Sequence, residues 1–122
     1  MPKKSKNILV IDDDKGVLTA VTTALEMNGY NVQAISDEEY VESVEFFKNL
    51  PDLILLDMLL SGADGREVCL KLKNHKTTQH IPVIIFSAAS NAMRSVKKAK
   101  ADAFLPKPFS IKDLLSKVNQ LV

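Results

Sequence analysis

Four places in the sequence carry side chains that could do chemistry together: Asp12-Asp13-Asp14, Asp57, Ser87 and Lys107. Each follows a short apolar run. Ile8-Leu9-Val10-Ile11 leads into the three aspartates, Leu53-Ile54-Leu55-Leu56 into Asp57, Val83-Ile84-Ile85-Phe86 into Ser87, and Phe104-Leu105-Pro106 into Lys107. If the runs are neighbouring parallel strands, their carboxyl ends share one edge of a sheet, where open α/β folds bind their ligands. Asp12, Asp13 and Asp57 brought together would repel one another. A hard dication relieves such crowding, and Mg²⁺ prefers a few carboxylates, a carbonyl and waters. Mg²⁺ held in this way is a partner for phosphoryl oxygens. Lys107 adds a point charge for the same anion, and the Ser87 hydroxyl can donate a hydrogen bond to it. No Cys or His stands beside these residues, so the natural nucleophile is a carboxylate. An aspartate attacking phosphorus gives an aspartyl phosphate. The remaining task is to position and neutralise a transferring phosphoryl group.

The elements that would bring these residues together can be read from periodicity. The first, third and fourth apolar runs are continuous, which suits strands covered on both faces. The run Val32 to Ile35 is mixed and suits an edge strand; Ala103 to Leu105 makes the fifth. Between them lie helical stripes: Val17, Val21, Ala24 and Leu25; then Val41, Val44 and Phe47 behind the acidic start Asp37-Glu38-Glu39. Val68, Cys69 and Leu72 form a third, Met93, Val96 and Ala99 a fourth, and Ile111, Leu114, Leu115, Val118 and Leu121 a fifth. Gly29 is a candidate helix stop, Asp14 and Ser110 are candidate N-caps, and Asp113 stands at the capping-box offset from Ser110. Five repeats of strand then helix imply an α/β fold with a parallel sheet and right-handed crossovers. A closed eight-fold barrel needs about twice the residues.

Composition narrows the classes further. The chain has 122 residues, 46% hydrophobic and 25% charged, with a net charge of +1. This is the size and make-up of one globular domain that needs no metal or disulfide to fold. Near-neutral charge gives no reason to expect direct nucleic-acid binding. No apolar run approaches the roughly 18 residues of a membrane span, so no membrane partner is expected. Cys69 is the single cysteine, so no intrachain disulfide forms, and a reducing cytoplasm is the expected location. Residues 1–6 read as a basic lead-in and 7–122 as a single domain.

The strand-end residues, taken in order, resemble the response-regulator receiver domain, the CheY-like family of two-component phosphorelays. The resemblance covers roughly residues 6 to 122 and rests on Asp12-Asp13, Asp57, Ser87 and Lys107-Pro108-Phe109. It implies a flavodoxin-like, doubly wound, five-stranded parallel sheet in the order 2-1-3-4-5 with five helices. By resemblance, Asp57 is the phosphoacceptor for a histidine kinase or histidine phosphotransferase. Asp13, Asp57 and the Leu59 carbonyl would hold Mg²⁺, with Asp12 contributing through water. Ser87 and Phe104 would form the switch, Lys107 would pair with the phosphoryl oxygens, and the Lys107-Pro108 bond would be cis. The readout would be binding of a downstream protein target or output domain, with homodimerisation on phosphorylation left open. Such a protein promotes its own phosphoryl transfer and dephosphorylation and is not a turnover enzyme. With no output domain after Val122, the chain is expected to signal by protein contact or to come from a longer regulator. Two positions depart from the usual family pattern: Ser61 stands where Pro is common, and Lys100 where Gly is usual.

Two other readings use the same residues. Asp12-Asp13-Asp14-Lys15-Gly16-Val17 is loosely similar to the nucleophile loop of haloacid dehalogenase-like phosphohydrolases, although that reading leaves Asp57 without a role. A pseudo-receiver would bind partners without phosphorylation, and the intact acidic set counts against it. Plainer roles also have to be weighed: turn residues for Asp12 and Asp13, a cap for Ser87, a surface position for Lys107 and a core position for Phe104. Cys69 reads as a small core residue, His75 and His80 as loop residues, and Lys97, Lys98 and Lys100 as a solvated helix face.

Overall fold

The computed structural model describes residues 5–60, 62–89 and 91–122. Ser61, one of the two departures from the family pattern, and Met1–Lys4 of the basic lead-in lie outside the described residues. Five parallel strands form one sheet: β1 (Asn7–Ile11), β2 (Asn31–Ile35), β3 (Leu53–Asp57), β4 (Val83–Ser87) and β5 (Ala103–Pro106). Their order is β2-β1-β3-β4-β5. Every residue of β3 and β4 is buried, as their unbroken apolar runs require for strands covered on both faces. β2 mixes exposed and half-buried residues and lies at the edge.

Side chains of successive strand residues point to opposite faces, so two cores form. Ile8, Val10, Leu53, Leu55, Ile84 and Phe86 pack on α1 (Lys15–Glu26) and α5 (Ile111–Leu121) through Val21, Leu25, Leu114 and Val118. On the other face Leu9, Ile11, Ile54, Leu56 and Ile85 meet α2 (Val44–Lys48), α3 (Gly65–Lys73) and α4 (Met93–Lys98) through Phe46, Val68, Cys69, Leu72 and Val96. Cys69 is a core residue, and burial pushes its thiol up to about 11. It therefore stays protonated and unreactive at neutral pH.

The helix starts follow the local chemistry. Asp14 accepts hydrogen bonds from the Gly16 and Val17 amides and caps α1. Ser110 does the same for the Asp113 amide at the start of α5. At the far end of α1, Gly29 adopts φ +89°, a conformation that costs glycine nothing and turns the chain into β2. Lys100 also sits in the left-handed region, at φ +65°, just after α4.

One element differs from the sequence expectation. The Val41-Val44-Phe47 stripe predicts one helix, but the structure has a 3₁₀ helix (Glu38–Glu42) followed by the separate five-residue α2. Ser43 is the cause. Its hydroxyl donates to the Tyr40 carbonyl and accepts from the Phe46 amide, so one extended residue ends the first helix and caps the second. The break rotates the apolar face: Phe46 is fully buried, whereas Val44 is 69% exposed and Phe47 38%.

Candidate phosphoryl-transfer site

Strand register places the chemistry at one level. Ile11 of β1 pairs with Leu56 of β3, so Asp12 and Asp57 leave the sheet side by side. Asp57 pairs with Phe86, which puts Ser87 one residue further out, and Ser87 pairs with Pro106, so Lys107 follows next. The chain reverses direction between β1 and β3, having first gone out to β2. That reversal is the crevice where open α/β sheets bind ligands.

The side chains converge as this register implies. Asp12, Asp13 and Asp57 each offer a carboxylate oxygen, all within 4.8 Å of one another. Lys107 Nζ lies 3.1 Å from Asp12 Oδ2 and 3.5 Å from Asp57 Oδ1. The same ammonium stands 4.9 Å from the centroid of the Phe86 ring, a favourable place for a cation. Asp12 is fully buried and also accepts the Asp14 amide, so its carboxylate is fixed by the turn as well as by Lys107. Asp57 is 8% exposed. Its burial, and next the charge of Asp12, hold its carboxyl above the usual carboxylate range, while Lys107 and the Leu59 amide pull it back down.

The loop after Asp57 is held close to the strand end. The Gly65 amide donates to the Met58 carbonyl at 2.7 Å, and the Leu60 amide to the Ala63 carbonyl. A Cβ on Gly65 would stand 2.0 Å from the Asp57 carbonyl oxygen, so only glycine fits where α3 starts. Leu59 forms an antiparallel bridge with Asp64 and leaves its own side chain largely in solvent. On the far side of the site, the Lys107 amide donates to the Ser87 carbonyl at 2.8 Å and locks the ends of β4 and β5 together. Ser87 Oγ is buried and accepts the Ala89 amide at 3.0 Å. The Lys107-Pro108 peptide bond is cis.

The residues singled out by sequence thus share one edge, with one exception of depth. Phe104 pairs with Ile85 below the site, half-buried against the α3–α4 core. Asp14 is drawn away from the cluster into its cap, as its preference for that position suggests. Sequence reasoning passed over Gly65, Asp64 and Arg66. The Asp64-Gly65 pair before a helix was a readable signal for a cap and a close approach. The Asp64–Arg66 contact spans only two positions and had none.

The donor set suits a hard dication: three carboxylates, all oxygen ligands, with no sulfur or imidazole among them. It suits a phosphoryl group equally, because Lys107 and a buried hydroxyl face the same edge.

Comparison with known proteins agrees with this geometry. A family model described as the response regulator receiver domain matches residues 8–119. The response regulator MprA of Mycobacterium sp. (strain KMS) is 35% identical over 118 residues, which are 94% of this chain and 50% of MprA. The chain therefore spans about half the length of the mycobacterial relatives it matches. Among solved structures, a response-regulator candidate from Chloroflexus aurantiacus superposes with a TM-score of 0.91 at 30% identity, covering 97% of this chain and 98% of that one. The BeF3-activated receiver domain of DrrB superposes with a TM-score of 0.84 at 26% identity, covering 97% of each chain. With the family model spanning nearly every element of the sheet and the acidic edge built as described, the chain belongs to the response regulator receiver domain family.

Proposed function

We propose that Asp57 accepts a phosphoryl group from a phosphohistidine, supplied by a histidine kinase or a histidine phosphotransferase, and that the phosphorylated form changes the binding of a downstream protein or output domain. One observation carries this reading: Asp57 is the carboxylate at the end of the central strand, clustered with Asp12 and Asp13 and 3.5 Å from the Lys107 ammonium. In the transfer, an Asp57 carboxylate oxygen forms a bond to phosphorus as the donor's P–N bond breaks. The electron pair of that bond returns to the imidazole. The product is an acyl phosphate on residue 57.

Each neighbour has a task of its own in this account. Lys107 already lies between Asp12 and Asp57 and is the cation nearest the incoming oxygens. The Leu59 amide beside Asp57 favours its ionised carboxylate, the form that attacks phosphorus. Ser87 accepts the Ala89 amide through a lone pair, so its hydroxyl proton can be donated to the phosphoryl group while that bond is kept. Phe104, half-buried beneath β5's end, is the aromatic that shifts with Ser87. Asp13, Asp57 and the Leu59 carbonyl would hold Mg²⁺, with Asp12 reaching it through water. Mg²⁺, when bound, supplies neutralisation of the charge on the transferring group.

The phosphohydrolase reading fares worse, because Asp14, the second acid of its loop, is committed to capping α1. The domain is read as residues 7–122, acting in the cytoplasm as a switch rather than a turnover enzyme. Among the described residues no helix is long and apolar enough to cross a membrane.

The test is incubation with acetyl phosphate and Mg²⁺ followed by intact-mass measurement. The wild type should gain one phosphoryl group and Asp57→Ala none. Equal gain by the variant would overturn the assignment, and repeated turnover of a phosphomonoester would favour the hydrolase.

A further inference from the structure

We propose that Arg66 is a positioning residue that ties the phosphoacceptor loop to α4 in the resting protein. The inference rests on the phosphoacceptor reading above. Arg66 lies in the first turn of α3, one residue after Gly65, which packs directly against the Asp57 carbonyl. Its guanidinium is divided between two elements. Nε donates to both carboxylate oxygens of Asp64, at 2.8 and 3.1 Å, and Nη2 donates to Asp64 Oδ2. Nη1 donates to Ser95 Oγ of α4 at 3.0 Å.

Both ends of this bridge lead to the site. Asp64 caps α3 through the Arg66 amide, and its backbone bridges to Leu59, two residues after Asp57. Ser95 donates its own proton to the Ala92 carbonyl at 2.9 Å, so the one hydroxyl that receives Arg66 also pins the first turn of α4. That turn lacks any side-chain cap at Ala92. Ala92 stands five residues beyond Ser87, the hydroxyl assigned to the phosphoryl group.

A planar fork is needed to hold both partners. Arg presents its donors in fixed directions and can bind a carboxylate in bidentate fashion while keeping one nitrogen for a second acceptor. Lys is a single point and cannot do both. On this proposal, movement of Ser87 toward Asp57 is accompanied by a shift of α4, which stretches or remakes the Arg66–Ser95 bond. The tie therefore favours the resting arrangement, and the phosphorylated state has to overcome it.

The test compares wild type, Arg66→Met, Ser95→Ala, the double variant and Arg66→Lys. Acetyl phosphate and Mg²⁺ are supplied to each, and the rate of phosphoryl gain is followed by intact mass. Cutting one hydrogen bond of this kind should speed phosphorylation about fivefold in either single variant. The double variant should be slower than the product of the two single effects, because both substitutions remove the shared Arg66–Ser95 contact. Arg66→Lys should behave as Arg66→Met. Amide NMR of the unphosphorylated single variants should show the same displacement of residues 93–98, toward the positions the wild type takes with beryllofluoride. If Ser95→Ala keeps the wild-type rate and spectrum, if the rates fall, or if the two effects multiply, the Arg66 side chain merely pairs with Asp64 and the proposal is overturned. Failure of the wild type to gain a phosphoryl group would contradict the function instead. The tie is then read from whether the two single variants share one pattern of α4 shifts.

Discussion

Without a metal ion, the acidic edge should cost the fold stability, and replacing Asp57 by Asn should recover it. The carboxylate oxygens of Asp12, Asp13 and Asp57 lie within 4.8 Å, and Lys107 Nζ is 3.5 Å from Asp57. At an effective dielectric of about 20, each like-charge pair at that distance repels by roughly 3–4 kcal/mol, and the Lys107 attraction returns about 5. Asp13 is exposed and screened by solvent, so the Asp12 repulsion and the Lys107 attraction nearly cancel, and burial, the largest cause, is what disfavours the ionised Asp57. A gain of about 1–2 kcal/mol is expected for Asp57→Asn, since a tenfold rise in a carboxyl's proton affinity is worth about 1.4 kcal/mol. Spread over a domain of this size, that raises Tm by about 4–8 °C. The pH dependence follows from the raised carboxyl. The folded protein holds the Asp57 proton more tightly than the unfolded chain, so wild-type stability from this group falls as pH rises from the unfolded carboxylate range, about 4, through the higher folded value. The variant's advantage should be complete at pH 7 and shrink toward about pH 4. Thermal unfolding by circular dichroism in EDTA and low salt measures both. Adding Mg²⁺ should stabilise the wild type more than the variant and narrow the gap. An Asn variant no more stable than wild type in EDTA at pH 7, with a parallel pH profile, would refute the reasoning.

Other outcomes follow from single contacts. Asp13→Ala should weaken Mg²⁺ binding, read by calorimetry, about tenfold or more, and by more than Asp12→Ala does, because Asp13 is assigned as a direct ligand and Asp12 as a partner through water. Gly65→Ala forces a Cβ to 2.0 Å from the Asp57 carbonyl oxygen, so the start of α3 must move. A loss of about 2 kcal/mol or more in urea unfolding is expected, together with weaker Mg²⁺ binding. Lys100→Gly relieves a side chain held at φ +65°. The strain of roughly 1–2 kcal/mol exceeds the glycine's added freedom in the unfolded chain, roughly 0.4–1, so the variant should be slightly more stable in the same assay.

The sheet and the site's outline were legible in the sequence for one physical reason. Strands buried on both faces must be continuously apolar, so polar residues appear only where a strand leaves the sheet. Asp12, Asp57 and Ser87 mark those ends, and parallel pairing brings the ends together. The β2 edge was readable because Gln33 interrupts its run and the strand needs no cover on its outer side. What could not be read were contacts made by backbone geometry. The break at Ser43 depends on one hydroxyl serving two helices, which an apolar period does not register. Phe46 and Phe47 are adjacent, and either could have faced the core; the broken helix chose Phe46. Gly65 was readable only as a close approach at a helix start; that the carbonyl it meets is that of Asp57 comes from the fold. Arg66 joins residues close in sequence on one side and Ser95 on the other, a contact that only the packing of α3 beside α4 creates.

Phosphoryl transfer as proposed leaves an acyl phosphate on residue 57. The most direct measurement is to phosphorylate the protein with acetyl phosphate and Mg²⁺, reduce it with borohydride, and map the product by peptide mass spectrometry. Borohydride converts an aspartyl phosphate to homoserine and leaves an ordinary aspartate untouched. Homoserine at position 57, with Asp12 and Asp13 unchanged, is the expected result. Homoserine at position 12 or 13, or a phosphoryl group that survives reduction on a hydroxyl such as Ser87, would contradict the account.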